Sequence, residues 1–296
     1  MKKLVCLAMA LVMVLSLCAC GGNTNVGNST TDSSTTEGAR SYADVPGLED
    51  GVLTVGMECA YAPYNWTQMD DSNGAVPIAN NPGSYANGYD VMIAKMIADY
   101  YDVKLEVMAV GWDGLNPALG ESLDAVIAGQ SMTPERLEEV TMAGPYFYAN
   151  IVCVARKDTP QADATGISNL TGTCTAQDGT VWYNFFLDQI PGATKTSPAE
   201  TANAMVMAVA ESKVDFICTD MPTAMGACAT YDNLVILDFS GTDDDFAASE
   251  GDINIGISVK LGNTALKDMM DEVLKNMTAE DFNELMNKAI AVQPEI

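Results

Sequence analysis

Strand-like and helix-like segments alternate along most of this chain, and that alternation is what most restricts its possible folds. A short apolar run at 52–56 precedes the segment 90–101, in which apolar residues recur at helical spacing. A second strand-like run follows at 103–110, and a third at 126–129 leads to a helix start after Thr133. This βαβα order predicts an α/β fold with a mostly parallel sheet flanked by helices.

The alternation restarts near residue 150, which indicates a second sheet. Ser197-Pro198-Ala199-Glu200 has the form of a capping box and predicts a helix start at that point. A further helix is predicted to begin at Gly179-Thr180. The remaining segments with strand or helix periodicity lie at 151–155, 173–176, 214–219, 253–259, 264–275 and 279–289.

The N-terminus predicts export from the cytoplasm. Two lysines precede an apolar run that ends in Leu17-Cys18-Ala19-Cys20-Gly21, so residues 1–19 are predicted to be a signal peptide. The ending is similar to a lipobox, in which Cys20 would carry diacylglycerol and anchor the protein to the outer face of the cell membrane. An ordinary signal peptide with an incidental cysteine stays an alternative. Residues 20–46 are predicted to form the lipidated cysteine and a flexible tether, because Gly, Asn, Ser and Thr dominate there.

The composition excludes several classes of function. A net charge of −26 argues against nucleic acid or anionic lipid as a partner. The chain has no histidine and no CxxC spacing, so neither a zinc site nor a histidine-dependent catalytic triad is predicted. We predict no metal and no cofactor. The redox state of the five cysteines after Cys20 is left open; they are Cys59, Cys153, Cys174, Cys218 and Cys228.

The segment from Asp124 to Arg136 contains an electrostatic irregularity. It predicts a buried strand, then an N-cap at Thr133 and proline at the first helical position, which places Arg136 at the third. A cation there faces the positive end of the helix dipole, which is locally unfavourable. Because free N–H groups at a helix start attract anions, an added arginine would make a carboxylate clamp. A solvent-exposed arginine in a first helical turn is the alternative.

Over residues 50–292 the chain resembles the solute-binding lipoproteins of the polar amino acid ABC transporter family. The resemblance implies a periplasmic-binding-protein-like fold of type II, with two lobes and two hinge crossings. Lobe one would contain residues 47–149 and 247–296, and lobe two residues 150–246. The segments that carry the resemblance are Leu53–Pro63, Gly88–Asp90, Trp112–Ala118, Asp124–Arg136, Gly144–Tyr146, Gln177–Thr180, Asp215–Asp220 and Gly256–Lys260.

The resemblance also implies an amino-acid site between the lobes. Arg136 would hold the ligand α-carboxylate with its planar fork, and Asp220 would pair with the α-ammonium. A helix cap is the alternative role for Asp220. Further contacts to the same ligand are implied at Ala128, Gly129, Ser131 and Thr180.

Three other residues are expected to select the ligand side chain. By resemblance, Glu58 would meet its distal polar end, and Tyr61 and Trp112 would form aromatic walls. This set suits a cation, through charge pairing and cation–π contact, and it suits an amide or hydroxyl equally. Core packing is the alternative for Trp112, and Tyr64 is expected to pack rather than bind ligand. The role of the turn-rich insertion at 68–87, near the expected cleft mouth, is left open.

Together these features predict an extracytoplasmic substrate-binding lipoprotein of an ABC importer, acting as a monomer. It would capture an α-amino acid with a cationic or polar side chain and deliver it to the membrane permease. We expect no enzymatic activity. Because a fold does not determine its function, an extracytoplasmic enzyme of lyase or dehydratase type and an adhesin stay alternatives.

Overall fold

The computed structural model describes Tyr42 and residues 44–294, so the predicted signal peptide, Cys20 and most of the tether lie outside the described residues. In chain order the strands are β1 (Val52–Met57), β2 (Ala60–Tyr61), β3 (Asn65–Gln68), β4 (Val76–Pro77), β5 (Tyr85–Asn87), β6 (Lys104–Ala109), β7 (Ala125–Ser131), β8 (Val140–Tyr148), β9 (Ile151–Arg156), β10 (Thr171–Thr175), β11 (Gly192–Lys195), β12 (Phe216–Asp220), β13 (Leu234–Leu237) and β14 (Asn254–Lys260). The α-helices are α1 (Tyr89–Tyr101), α2 (Trp112–Leu115), α3 (Pro134–Glu139), α4 (Ala202–Ala210), α5 (Met221–Thr230), α6 (Glu250–Ile253), α7 (Thr264–Leu274) and α8 (Ala279–Val292).

Two sheets of five strands each form the framework of the two lobes. The first sheet has the order β6-β1-β7-β14-β8, and the second has the order β11-β10-β12-β9-β13. In the first sheet β1 runs parallel to β6 and β7, while β14 is antiparallel to β7 and β8. The second repeats this plan, with β10 parallel to β11 and β12, and β9 antiparallel to β12 and β13. The parallel pairs that the alternation predicts are therefore present, and each sheet also has two antiparallel pairs.

The chain passes between the sheets twice. It leaves the first sheet at the end of β8 and enters the second at β9, with two residues between the strands. It returns after β13, because β14 lies between β7 and β8 in the first sheet. A further antiparallel sheet has the order β2-β3-β5-β4, and its strands β4 and β5 lie within the insertion at 68–87. The residue boundaries of the two lobes stay a prediction.

The core forms where the sequence pattern places it. Every residue of β7 is buried, as expected for a central strand covered on both faces. Helix α1 buries Ile93, Ala94 and Ile97 on one side, at the helical spacing seen in the sequence, and Val91 is buried as well. It ends because Asp102 adopts a left-handed conformation with φ 54°, which stops the helix.

The prediction of a helix start at Ser197 is wrong. The helix there is α4, which begins at Ala202 and is capped by Thr201, whose hydroxyl accepts a hydrogen bond from the Ala204 N–H. The main chain of Ala199 is instead engaged with the end of the second sheet. Its N–H donates to the Ala176 carbonyl at 2.9 Å, and its carbonyl accepts from the Asp178 N–H at 2.8 Å. These non-local bonds hold the segment in an extended conformation, so the local capping pattern does not form a helix.

Candidate ligand-binding cleft

The C-terminal end of β7 delivers Arg136 to the space between the lobes. Helix α3 starts as predicted, with the Thr133 hydroxyl accepting from the Arg136 N–H at 3.2 Å and Pro134 at the first helical position. The guanidinium donates to the Ser131 carbonyl, and its central carbon lies 5.7 Å from the ring centre of Trp112. Burial lowers the pKa of the guanidinium, and Glu139 opposes that effect.

Arg136 forms no ion pair with any of the described residues. The ion pairs found in the described part of the chain all involve lysines. A partly buried guanidinium without a carboxylate partner lowers the stability of the fold. Its position beside a cleft therefore favours an anion-binding role.

A small cavity lies next to Arg136, between the two lobes. Its volume of about 20 Å³ has room for about one water molecule. This volume is too small to hold an amino acid in the closed arrangement. The cavity is lined by Tyr61, Trp112, Ser131, Arg136, Gln177, Thr180, Val181 and Trp182.

Five of the nine sequence-predicted ligand-binding residues line this cavity, namely Tyr61, Trp112, Ser131, Arg136 and Thr180. The other four, Glu58, Ala128, Gly129 and Asp220, do not line it. The ligand-binding role of all nine stays a prediction.

Gly129 is committed to the internal structure of the first lobe. Its N–H donates to the Tyr146 hydroxyl at 2.9 Å, and that hydroxyl donates to Asp90 Oδ1 at 2.7 Å. Gly129 has φ +63°, and a Cβ there would lie 2.6 Å from Tyr61 Cε1. Glycine is needed because the Tyr61 ring packs directly against the main chain. The Gly129 N–H is therefore not free for a ligand in this closed arrangement, and Ala128, next to it, is fully buried in β7.

Asp220 is a buried carboxylate at the end of β12. Its Oδ1 accepts from the Thr223 N–H at 2.9 Å, so it caps α5. Its Oδ2 accepts from the hydroxyls of Tyr61 and Tyr64, each at 3.0 Å. Burial raises the pKa of this carboxyl, and the hydrogen bonds from Thr223 and the two tyrosines oppose the rise. The alternative of a helix cap is thus observed, together with a contact that joins the two lobes.

Glu58 also joins the lobes, through Gln177. Both oxygens of its carboxylate accept from Gln177 Nε2, at 3.0 and 3.2 Å. Burial raises the pKa of Glu58 to about 7; the Gln177 hydrogen bond opposes this, and the charges of Asp113 and Asp90 add to it. Glu58 faces a groove of about 430 Å³ that adjoins Trp112 and is rich in carboxylates.

Two more hydrogen bonds fix the residues around the cavity. The Trp112 Nε1–H donates to the Gly179 carbonyl at 3.4 Å, which is a third contact between lobes. The Thr180 hydroxyl donates to the Gln177 carbonyl at 2.7 Å, so its oxygen retains acceptor capacity only. If this segment contacts the ligand carboxylate, the donors would therefore be main-chain N–H groups at the helical start and not the Thr180 hydroxyl.

Sequence reasoning missed Gln177, Val181, Trp182 and the hydrogen-bonding role of Tyr64. Tyr64 packs as expected, with its ring stacked on Tyr61 at 4.7 Å, yet its hydroxyl also reaches Asp220. Trp182 begins a π-helical turn, Trp182–Phe186, and its ring meets Tyr61 edge-on at 6.0 Å. Gln177 stands in one of the segments that carry the family resemblance, and its proximity to Thr180 was the available signal.

Comparison with known proteins agrees with this architecture. The family described as bacterial extracellular solute-binding proteins, family 3, matches residues 53–291, and the chain belongs to that family. It is thus an extracytoplasmic solute-binding protein. Among the described residues, no helix combines the length and apolar character needed to cross a membrane.

Two curated relatives and one solved structure illustrate the similarity. The octopine-binding periplasmic protein of Rhizobium meliloti is 28% identical over 127 residues, which are 43% of this chain and 39% of that protein. The putative ABC transporter arginine-binding protein 2 of Escherichia coli (strain K12) is 24% identical over 234 residues, 78% of this chain and 87% of that protein. An amino acid ABC transporter substrate-binding protein from Streptococcus pneumoniae Canada MDR_19A, solved bound to L-arginine, is 24% identical with a TM-score of 0.70, covering 84% of this chain and 97% of that one. The last similarity establishes the fold.

Proposed function

We propose that this protein captures an α-amino acid with a cationic or polar side chain and delivers it to an ABC permease. The observation that carries the proposal is the guanidinium of Arg136, which lines the cavity between the lobes without an ion-pair partner among the described residues. The ligand α-carboxylate would pair with this guanidinium in a bidentate manner. The helical start at Thr180 would offer N–H groups from the facing lobe.

The ligand α-ammonium would bind Asp220. In the closed arrangement two tyrosine hydroxyls occupy Oδ2 of that carboxylate. An ammonium is a stronger donor to a carboxylate than a hydroxyl, because the bond is charge-assisted. Binding would therefore shift Tyr61 from Asp220 toward the ligand, where its ring already faces the cavity.

Arginine is the amino acid that we propose first. The chain is strongly acidic, with a net charge of −26, which favours the approach of a cationic solute. Trp112 and Tyr61 offer aromatic faces, and Glu58 offers a carboxylate beyond them. Several relatives are named for arginine binding, among them the Escherichia coli protein above.

Ligand entry requires the two lobes to separate. We propose that residues 47–149 and 247–296 move against residues 150–246 about the two chain crossings. The cavity volume of about 20 Å³ supports this motion, since it cannot admit an amino acid without opening. We also propose that Cys20 carries the lipid that holds the protein at the membrane, and that it acts as a monomer; the lipobox-like sequence supports the first point.

A panel of L-amino acids tests the proposal. A ligand that binds only the native state raises its thermal midpoint, so one or a few amino acids should do so and should release measurable heat on titration. We expect arginine, lysine and glutamine to rank above apolar amino acids. If the whole panel gives neither a thermal shift nor heat, the amino-acid assignment fails.

One observation favours a second candidate, an enzyme of the same fold. The carboxyl of Glu58, with its pKa raised to about 7 by burial, has the properties of a general base. Incubation of the protein with each amino acid that it binds, followed by NMR of the solution, separates the two. Unchanged ligand supports binding alone, and a new product supports catalysis.

A further inference from the structure

The side chain of Gln177 has a fixed orientation in the cleft. It is 1% exposed and lines the cavity. Its Nε2 donates to both oxygens of Glu58. When Glu58 is ionised its carboxylate can only accept hydrogen bonds, so the NH₂ group of the amide is then the end that faces Glu58.

The amide oxygen of Gln177 is then directed away from Glu58. In a planar amide the C=O and C–N bonds point in different directions from the carbon that they share. Oε1 accepts no hydrogen bond from any described residue, and it is not among the buried side-chain atoms that are sealed without a partner. Because the side chain borders the cavity, this oxygen presents an acceptor to whatever enters between the lobes.

From this geometry we infer that Gln177 is a specificity-determining residue, and that Glu58 acts through it as a positioning residue. The Gln177 oxygen accepts a hydrogen bond from the far end of the ligand side chain. The class selected is an α-amino acid whose side chain ends in an N–H donor: a guanidinium, an ammonium or an amide. The inference rests on the proposed function and narrows it, because Glu58 was predicted to meet the ligand directly.

Substitutions of Gln177 and of Glu58 should change the ligand preference in different ways. A ligand without a donor leaves the Gln177 oxygen desolvated and unpaired, which costs about 1–3 kcal/mol, or roughly 5- to 150-fold in affinity. Replacing Gln177 by methionine removes both the acceptor and that penalty. Replacing Glu58 by glutamine keeps the size of the side chain but allows the two amides to pair in either orientation, so the acceptor is no longer fixed.

The experiment measures the affinities of L-arginine, L-lysine and L-norleucine by calorimetry at about pH 8, where Glu58, with its pKa of about 7, is mostly ionised. Norleucine has an unbranched side chain without a donor. We expect the wild type to prefer arginine or lysine over norleucine by at least about tenfold. In Gln177→Met the preference for arginine or lysine over norleucine should fall to within about threefold. The preference of Glu58→Gln should lie between those of the wild type and Gln177→Met. Gln189→Leu is the matched control, since the Gln189 amide bonds the main chain of Ala247 instead of lining the cavity.

The outcomes separate this inference from the proposed function. A wild type that binds no α-amino acid rejects the proposed function. A wild type that binds donor-ended amino acids, with the ratio unchanged in Gln177→Met, overturns only the role of Gln177. Equal binding of arginine and norleucine by the wild type overturns it too. Gln177→Leu supplies a second variant if methionine prevents folding, as judged by circular dichroism, and the ratio between two ligands is insensitive to a general loss of stability.

Discussion

The hydroxyl of Tyr61 donates to Oδ2 of Asp220 across the cleft, at a distance of 3.0 Å. The contact joins β2 of the first lobe to the start of α5 in the second. It also uses the carboxylate oxygen that we propose for the ligand ammonium. Lobe closure and ligand binding therefore draw on the same acceptor, so a ligand must supply a better donor than the tyrosine that it displaces.

Asp220→Asn tests that role. We expect at least about tenfold weaker binding of amino acids, because an amide cannot form the charge-assisted pair with an ammonium. Asparagine is a good N-cap and still accepts from the Thr223 N–H, so α5 should be retained. Calorimetry measures the affinity, and the thermal midpoint reports folding.

Asp281→Asn is the control for this substitution, since Asp281 belongs to the capping box of α8, which is outside the cleft. If Asp220→Asn binds within about threefold of the wild type, Asp220 serves only closure and capping.

Arg136→Ala should abolish measurable binding or weaken it by well over tenfold, because a buried charge-assisted bidentate contact is lost. The affinity of Arg136→Lys should lie between those of the wild type and Arg136→Ala, since lysine keeps the charge and loses the planar fork. Arg156→Lys is a matched control: Arg156 donates to the carbonyls of Val209 and Val214 within the second lobe. Affinity of Arg136→Ala within tenfold of the wild type, measured by calorimetry, contradicts its assignment as the carboxylate clamp.

Local sequence predicts a structure well where its determinants are local. The start of α3 is an example, because Thr133, Pro134 and the strand before them need no distant partner to specify the turn. Helix α1 is another, since its spacing alone defines the buried side. The antiparallel strands β8 and β13 were not predicted, because they are specified by their neighbours β14 and β9 rather than by a pattern of their own.

The contacts across the cleft are even less predictable from local sequence. Gln177 and Glu58 are 119 residues apart, and nothing near either one indicates that an amide of one lobe will orient against a carboxylate of the other. Tyr64 and Asp220 are 156 residues apart. A resemblance could propose Arg136 and Asp220 as a pair, whereas the hydrogen bonds that occupy Asp220 in the closed lobes depend on tertiary packing alone.

The corrected start of α4 gives a test of stability without ligand. Thr201→Ala should lower the free energy of unfolding by about 1 kcal/mol, because the Ala204 N–H loses its cap. Ser197→Ala is the matched control, and it should have little effect because no helix starts there. Urea denaturation followed by circular dichroism measures both. A larger loss for Ser197→Ala than for Thr201→Ala contradicts the assignment.

The pH dependence of stability should have a defined sign. Burial raises the pKa of Glu58 to about 7 and that of Asp90 to about 7, from ordinary values of 4.5 and 3.8. The folded protein therefore holds protons that the unfolded chain releases, and this contribution to stability is lost as pH rises toward and through about 7. Without ligand, the thermal midpoint should fall between about pH 5 and about pH 8.

Binding of a cationic amino acid should follow pH in the opposite direction. A cation near Glu58 favours the ionised carboxylate, so affinity for arginine should rise as Glu58 loses its proton around pH 7. The groups that act on Glu58 are Gln177, Asp113 and Asp90, and histidine is absent from the sequence. Glu58→Gln should flatten the affinity profile, while Asp90 continues to lower stability at high pH. Calorimetry across this range checks the sign, and an arginine affinity that decreases from about pH 6 to about pH 8 contradicts a cation beside Glu58.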